Sequence, residues 1–213
     1  MVLDRNAAAP RTLEQAAREG IQGGVDAVVF RVKDASLEVA RPLARAVSMV
    51  CRDLRAAFVV SNFVELAMEL QADAVHLGAA DPLISEVRAL VGPDMCIGYS
   101  AHSVDEAERQ IAAGADYVFL GPIFPTPAKL RYGPPLGVGV IAEALRIPAP
   151  VVFIGGISPL TLPQLVSAGG CRVAAIAALQ SVDDAAAAAR QMKALLNANG
   201  DASPTGNSAP QAG

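Results

Sequence analysis

The chain has 213 residues, 53% hydrophobic and 18% charged, with a net charge of −4. That is enough chain for one large domain, too apolar for general disorder, and without the basic surface of a nucleic-acid binder. Aromatic residues make up 4% with no Trp, which leaves little to stack on bases, and Gly 18 and Pro 15 recur along the chain in a way that excludes a fibrous or coiled-coil molecule. No segment approaches the roughly 20 uncharged apolar residues of a membrane span. The opening MVLDRNAAAPR carries charge at once and lacks the apolar core of a signal peptide, so the expected location is cytoplasmic. Cys51, Cys96 and Cys171 are odd in number and far apart, and read as reduced core residues.

In chain order, short apolar runs at 1–3, 27–32, 57–60, 74–77, 96–100, 117–120, 151–154 and 173–176 read as strands. Amphipathic stretches lie between them: LEQAAREGIQGG, SLEVARPLARAVSMVCRDL, ISEVRALVG, SVDEAERQIAAGA and TLPQLVSAGG. Residues 13–21 and 104–111 place apolar side chains at helical spacing, and several stretches close on Gly, the usual helix stop. Short, nearly uninterrupted apolar strands alternating with helices predict a parallel sheet covered by helices. Eight such units predict an α/β fold, a single (β/α)8 TIM barrel over residues 1–196. A doubly wound open sheet would carry a Gly-rich turn after its first strand, but Asp4-Arg5-Asn6 follows it. The paired glycines come after the seventh strand instead. The tail 197–213, NANGDASPTGNSAPQAG, has no periodicity and reads as a disordered extension.

Barrel chemistry sits at the C-terminal ends of the strands, so the strand ends nominate the candidates. In VVFRVKD, alternation sends Val29, Arg31 and Lys33 to one side and Val28, Phe30 and Val32 to the other. Two cations in a barrel mouth call for an anion, although pairing of Arg31 and Lys33 with Asp34 or Glu38 at the rim is the plainer reading. VVFIGGIS ends in Gly155-Gly156, bare backbone expected at the start of a helix and suited to a phosphate. The long Pro/Gly-rich loop after strand six carries Thr126 and Lys129, a hydroxyl and a compact charge for a phosphate clamp. His76 reads as a hydrogen-bonded structural residue. His102, close to Ser100, reads equally as structural or as an acid/base group. Asp81 either offers oxygen to a metal or caps a helix expected to begin at Pro82.

FRVKD, AVHLG, IGYSAHSVDEA, GADYVFLGPIFPTPAK and VVFIGGIS, in this order, resemble the thiamine phosphate synthase and thiazole tautomerase superfamily, over roughly residues 1–195. The resemblance implies a barrel enzyme of thiamine biosynthesis that joins hydroxymethylpyrimidine diphosphate to thiazole phosphate and releases pyrophosphate, with Mg²⁺ as cofactor. It implies small phosphorylated pyrimidine and thiazole partners and leaves the oligomeric state open, a homo-oligomer included. By the same resemblance, Arg31, Lys33 and Thr126 bind the diphosphate, Gly155 and Gly156 the thiazole phosphate, and Asp81 and Asn62 the metal. Lys129 and Ser100 match phosphate-contacting residues of the catalytic set, to which His102 is added as the best available acid/base group for a tautomerase. The chain departs from the family pattern at Val29, at Ser61-Asn62-Phe63, at Ala79-Ala80, at Ala128 and at Ala177, where polar residues are usual. These departures keep two other readings open: a thiazole phosphate tautomerase, which needs no metal, and a non-catalytic binder of phosphorylated ligands. The tautomerase branch can use a histidine where this chain has Pro122.

Overall fold

A computed structural model describes residues 1–32, 35–126 and 134–198. The eight strands are β1 (Val2–Leu3), β2 (Ala27–Phe30), β3 (Ala57–Ser61), β4 (Ala74–Leu77), β5 (Cys96–Ala101), β6 (Tyr117–Leu120), β7 (Val151–Ile154) and β8 (Val173–Ala174). They pair in parallel in sequence order, and the Val2 N–H donates to the Ala175 carbonyl at 3.0 Å, joining the first strand to the last. The expected (β/α)8 barrel is the observed architecture.

Helices follow the strands: α1 (Arg5–Ala8), α2 (Leu13–Gln22), α3 (Leu37–Leu54), α4 (Val64–Glu69), α5 (Ile84–Val91), α6 (Val104–Ala112), α7 (Ile141–Ala144), α8 (Leu162–Ser167), α9 (Ala177–Gln180) and α10 (Ala185–Asn197). Their starts follow local chemistry. Thr12 and Gln15 form a capping box on α2, while Ser36, Ser103 and Asp184 cap α3, α6 and α10 through side-chain oxygens. α10 ends at Asn197, one residue into the segment expected to be tail; residues 199–213 lie outside the described residues.

Alternation along each strand separates two cores. Val28, Phe30, Val60, Val75, Leu77, Ile97, Val118, Leu120 and Phe153 face the helices in one large cluster. Val2, Val29, Val59, Ala74, Phe119 and Ala174 fill the barrel axis in a second. The split of β2 is the one its sequence predicts, with Val29 inward and Val28 and Phe30 outward. The cysteines depart from expectation. Only Cys51, on α3, is core; Cys96 and Cys171 sit beside the N-terminal strand ends and are exposed, because helix packing does not cover that rim.

Candidate active site

Register builds the mouth of the barrel. Val2 pairs with Val29, so the inward positions two residues further on, Asp4 and Arg31, lie side by side. Arg31 Nη1 is 3.3 Å from Asp4 Oδ2, while Asp4 Oδ1 accepts from the amides of Asn6 and Ala7 and caps α1. Of the rim partners expected from sequence, Asp34 lies outside the described residues; the start of the chain supplies a carboxylate as well. Asp4 was missed as a site residue because its partner is 27 positions away. Lys33 lies outside the described residues, as does Lys129 in the loop after β6.

On the next strands, Ser61 at the end of β3 pairs with His76 of β4. Ser61 Oγ donates to Asn62 Oδ1 at 2.6 Å, and Asn62 Nδ2 donates to Asp81 Oδ2 at 2.5 Å. Asn62 holds φ at +71°, a left-handed conformation Asn tolerates better than most residues. The Gly78 amide also donates to Asp81 Oδ2, at 2.7 Å. Asp81 therefore closes the 78–81 turn and does not cap a helix: α5 starts at Ile84, with Leu83 at its N-cap. The two residues proposed for a metal are neighbours. Among the described residues, no three His, Cys, Asp or Glu side chains gather into a metal site. Asn62 turns its amide N–H toward Asp81 and its oxygen toward Ser61, so Asp81 is the one group here already suited to Mg²⁺, and Asn62 would have to turn its amide over to offer an oxygen beside it.

His76 points along the barrel axis and is buried. Its Nε2 lies 2.9 Å from Ser100 Oγ on β5 and its Nδ1 3.2 Å from the Tyr117 hydroxyl on β6. The Phe119 ring covers it, with centroids 4.3 Å apart. Burial, with the nearby Arg31 charge, pushes its pKa down to about 3, so the ring is neutral. The structural reading of His76 thus agrees with its surroundings, and its contacts also join it to Ser100. His102 is half-buried just past β5, with Nδ1 3.7 Å from Glu106 Oε2 on α6; its own amide donates to the same oxygen at 2.8 Å. Tyr99, facing the helices from β5, has its hydroxyl pKa raised by burial and by Glu106.

Gly155 and Gly156 follow β7 with φ of +97° and +66°. The loop after β6 leans on them: Ile123 N donates to Ile154 O at 2.9 Å and Phe124 N to Gly155 O at 3.0 Å. A Cβ on Gly155 would lie 2.5 Å from Pro122, and one on Gly156 2.7 Å from Phe124 Cβ. The glycines are thus required by the packing of the β6 loop, in which Thr126 is half-buried. The expectation that a helix begins at the glycine pair is not met. A turn intervenes, in which Ser158 N donates to Thr161 Oγ1 at 2.9 Å and Thr161 Oγ1 to Gly156 O at 2.8 Å, and α8 starts only at Leu162. Among the described residues, the Gly155 and Gly156 amides, like those of Ala177 and Ala178 at the start of α9, carry no backbone partner.

The family model described as thiamine monophosphate synthase matches residues 1–179. The chain belongs to that family. It is similar to the thiamine-phosphate synthase of Bacillus velezensis, 40% identical over 178 residues, 81% of this chain and 79% of that protein. The thiamine-phosphate synthase of Roseiflexus sp. (strain RS-1) is 34% identical over 197 residues, 92% of this chain and 84% of that protein. Among solved structures, thiamine phosphate pyrophosphorylase from Pyrococcus furiosus superposes with a TM-score of 0.83 at 27% identity, covering 92% of this chain and 94% of that one. Membership makes this barrel a transferase of thiamine biosynthesis, and no described helix is long and apolar enough to cross a membrane.

Proposed function

We propose that the mouth of this barrel joins hydroxymethylpyrimidine diphosphate to thiazole phosphate. The C–O bond between the pyrimidine methylene and the diphosphate breaks, and its electron pair leaves with pyrophosphate. The lone pair of the thiazole nitrogen then forms the new C–N bond, and the step needs no proton transfer. The observation that supports this most is the convergence of Arg31, Asn62, Asp81 and Ser100 at neighbouring strand ends within a family of synthases.

Each group has a defined task. Arg31, held by Asp4, presents a planar donor array to the diphosphate. Lys33, Thr126 and Lys129 add positive charge and a hydroxyl by their matched positions in the family motifs. Ser100 offers its hydroxyl to a diphosphate oxygen. Gly155 and Gly156, with the amides opening α9, hold the thiazole phosphate; these amides remain available although Ala177 brings no hydroxyl. Asp81, joined by the Asn62 oxygen once that amide turns over, would hold a Mg²⁺ ion, which would supply charge stabilisation to the departing pyrophosphate. Asn62 here replaces a carboxylate, so the ion is held with one charge fewer.

Purified protein incubated with both substrates and Mg²⁺ is expected to yield thiamine phosphate and pyrophosphate in equal amounts. EDTA is expected to stop the reaction, and Asp81→Ala to lower kcat/KM by about 100-fold or more, the scale of several kcal/mol of charge stabilisation. Turnover of the thiazole tautomer alone, unaffected by EDTA, would favour the tautomerase reading with His102 as acid/base. Binding of both phosphates without turnover would favour the non-catalytic binder.

A further inference from the structure

One row of the barrel interior contains an arrangement that substrate contacts alone do not account for. His76, Gly98 and Tyr117 occupy matched positions on β4, β5 and β6. A Cβ at position 98 would lie 2.1 Å from Tyr117 Cζ, so glycine there is what lets the phenol cross β5 and reach the imidazole. Ser100, two residues further along β5, receives the other side of the same ring. The result is a chain of three polar groups on the barrel axis, lined by Phe119 and ending at the mouth.

The direction of the hydrogen bonds in this chain follows from what each atom can do. A neutral imidazole has one N–H and one bare nitrogen. Among the described residues, the Tyr117 hydroxyl meets no acceptor other than His76 Nδ1, 3.2 Å away. Tyr117 is half-buried, and the relay requires that its proton go to Nδ1, the acceptor it meets. The imidazole proton is then on Nε2 and is donated to Ser100 Oγ at 2.9 Å. With that lone pair occupied, the Ser100 O–H turns away from the ring toward the mouth. Ionised phosphate oxygens accept and do not donate. The relay thus presets Ser100 in the one polarity a diphosphate can use.

We infer that Tyr117 and His76 are positioning residues that fix Ser100 as a hydrogen-bond donor to the leaving diphosphate. This rests on the reading of Ser100 as a substrate contact. A donor already turned toward the oxygen where charge accumulates stabilises the transition state without reorganisation, so the effect falls on kcat more than on KM.

The test is steady-state kinetics with both substrates and Mg²⁺ on single and double variants, with folding checked by thermal melting. Ser100→Ala is expected to lower kcat by about 10- to 100-fold, the loss of one hydrogen bond to a charged group. His76→Phe, which keeps a ring and removes both nitrogens, should lose about as much, with little change in KM for the thiazole phosphate. His76→Gln, which can accept from Tyr117 and donate to Ser100, should recover most of the activity. In the Ser100→Ala background, neither His76→Phe nor Tyr117→Phe should lower kcat further, whereas alone Tyr117→Phe should lower it several-fold. Wild-type kcat in folded His76→Phe, or losses that multiply in the double variants, would overturn the relay. Should His76→Phe not fold, the Tyr117→Phe pair decides by the same criterion. A wild-type kcat for Ser100→Ala is a separate outcome: it removes Ser100 from the substrate, and the relay with it, while leaving the synthase assay of the parent protein intact.

Discussion

Burial governs the chemistry of single residues here, and His76 shows it most directly. Its pKa lies at about 3 in the folded chain against 6.5 for an unperturbed imidazole. Between those values the unfolded chain binds the proton and the folded chain does not. His76 therefore costs nothing above about pH 6.5, reduces stability progressively as pH falls below it, and adds no further loss below about pH 3. Urea unfolding of wild type should accordingly show a loss of stability between pH 7 and pH 4 that His76→Gln shares only in part, by a margin of at least about 1 kcal/mol. Parallel pH profiles for the two proteins would mean that other groups carry the acid sensitivity. Arg31 illustrates the opposite case of a charge kept at the mouth by a partner: the Asp4 carboxylate holds it while binding the first amides of α1 with its other oxygen.

At the scale of elements, the end of β7 and the loop after β6 act as one unit. Leu136 N donates to Pro122 O and Gly137 N to Ile123 O, so the loop returns onto its own base, and that base rests on Gly155 and Gly156. A side chain at position 156 meets Phe124 Cβ at 2.7 Å and Pro125 O at 2.8 Å in a backbone with φ of +66°. Gly156→Ala is thus expected to displace the β6 loop as well as to weaken the thiazole phosphate. The left-handed backbone alone costs about 1–2 kcal/mol for a non-glycine residue. The variant should melt at lower temperature and show a raised KM for both substrates. A raised KM for thiazole phosphate at an unchanged Tm would instead place the Cβ in the phosphate site.

Across the whole molecule, one fully buried polar side chain reinforces the closure of the barrel. Gln180, on α9, accepts from the Asp4 amide at 3.0 Å and donates to the Val2 carbonyl at 2.6 Å and the Ile176 carbonyl at 3.3 Å. It ties β1 to α9, the helix that follows β8, where both strands are only two residues long. Arg11 adds a second clamp, donating to the Gln180 and Val182 carbonyls and pairing with Glu19. Gln180→Leu keeps the volume and leaves the Asp4 amide and Val2 carbonyl without this partner. The expected cost is about 3 kcal/mol, a fall in Tm of roughly 10 °C. Because Asp4 carries Arg31, the same change should raise KM for the diphosphate substrate. An unchanged Tm would show that the barrel closes without this bridge.

What the sequence by itself determined is the part of the molecule encoded within short windows. Eight apolar runs, the helices between them and the inward direction of Arg31 follow from periods of two and 3.6 residues. The strand-end rule nominated Arg31, Asp81 and the glycine pair at one end of the barrel, and the family resemblance added Asn62 and Ser100. Only the tertiary structure decided the partners. Asp4 holds Arg31 through the β1–β2 register, and Tyr117 reaches His76 across Gly98 because three strands align. Gln180 meets Asp4 across a separation of 176 residues. The glycine pair, read as exposed backbone at a helix start, is packed under the β6 loop. Each of these contacts depends on strand register and barrel closure, which bring distant residues together through the pairing of whole strands and leave no periodic mark near either partner.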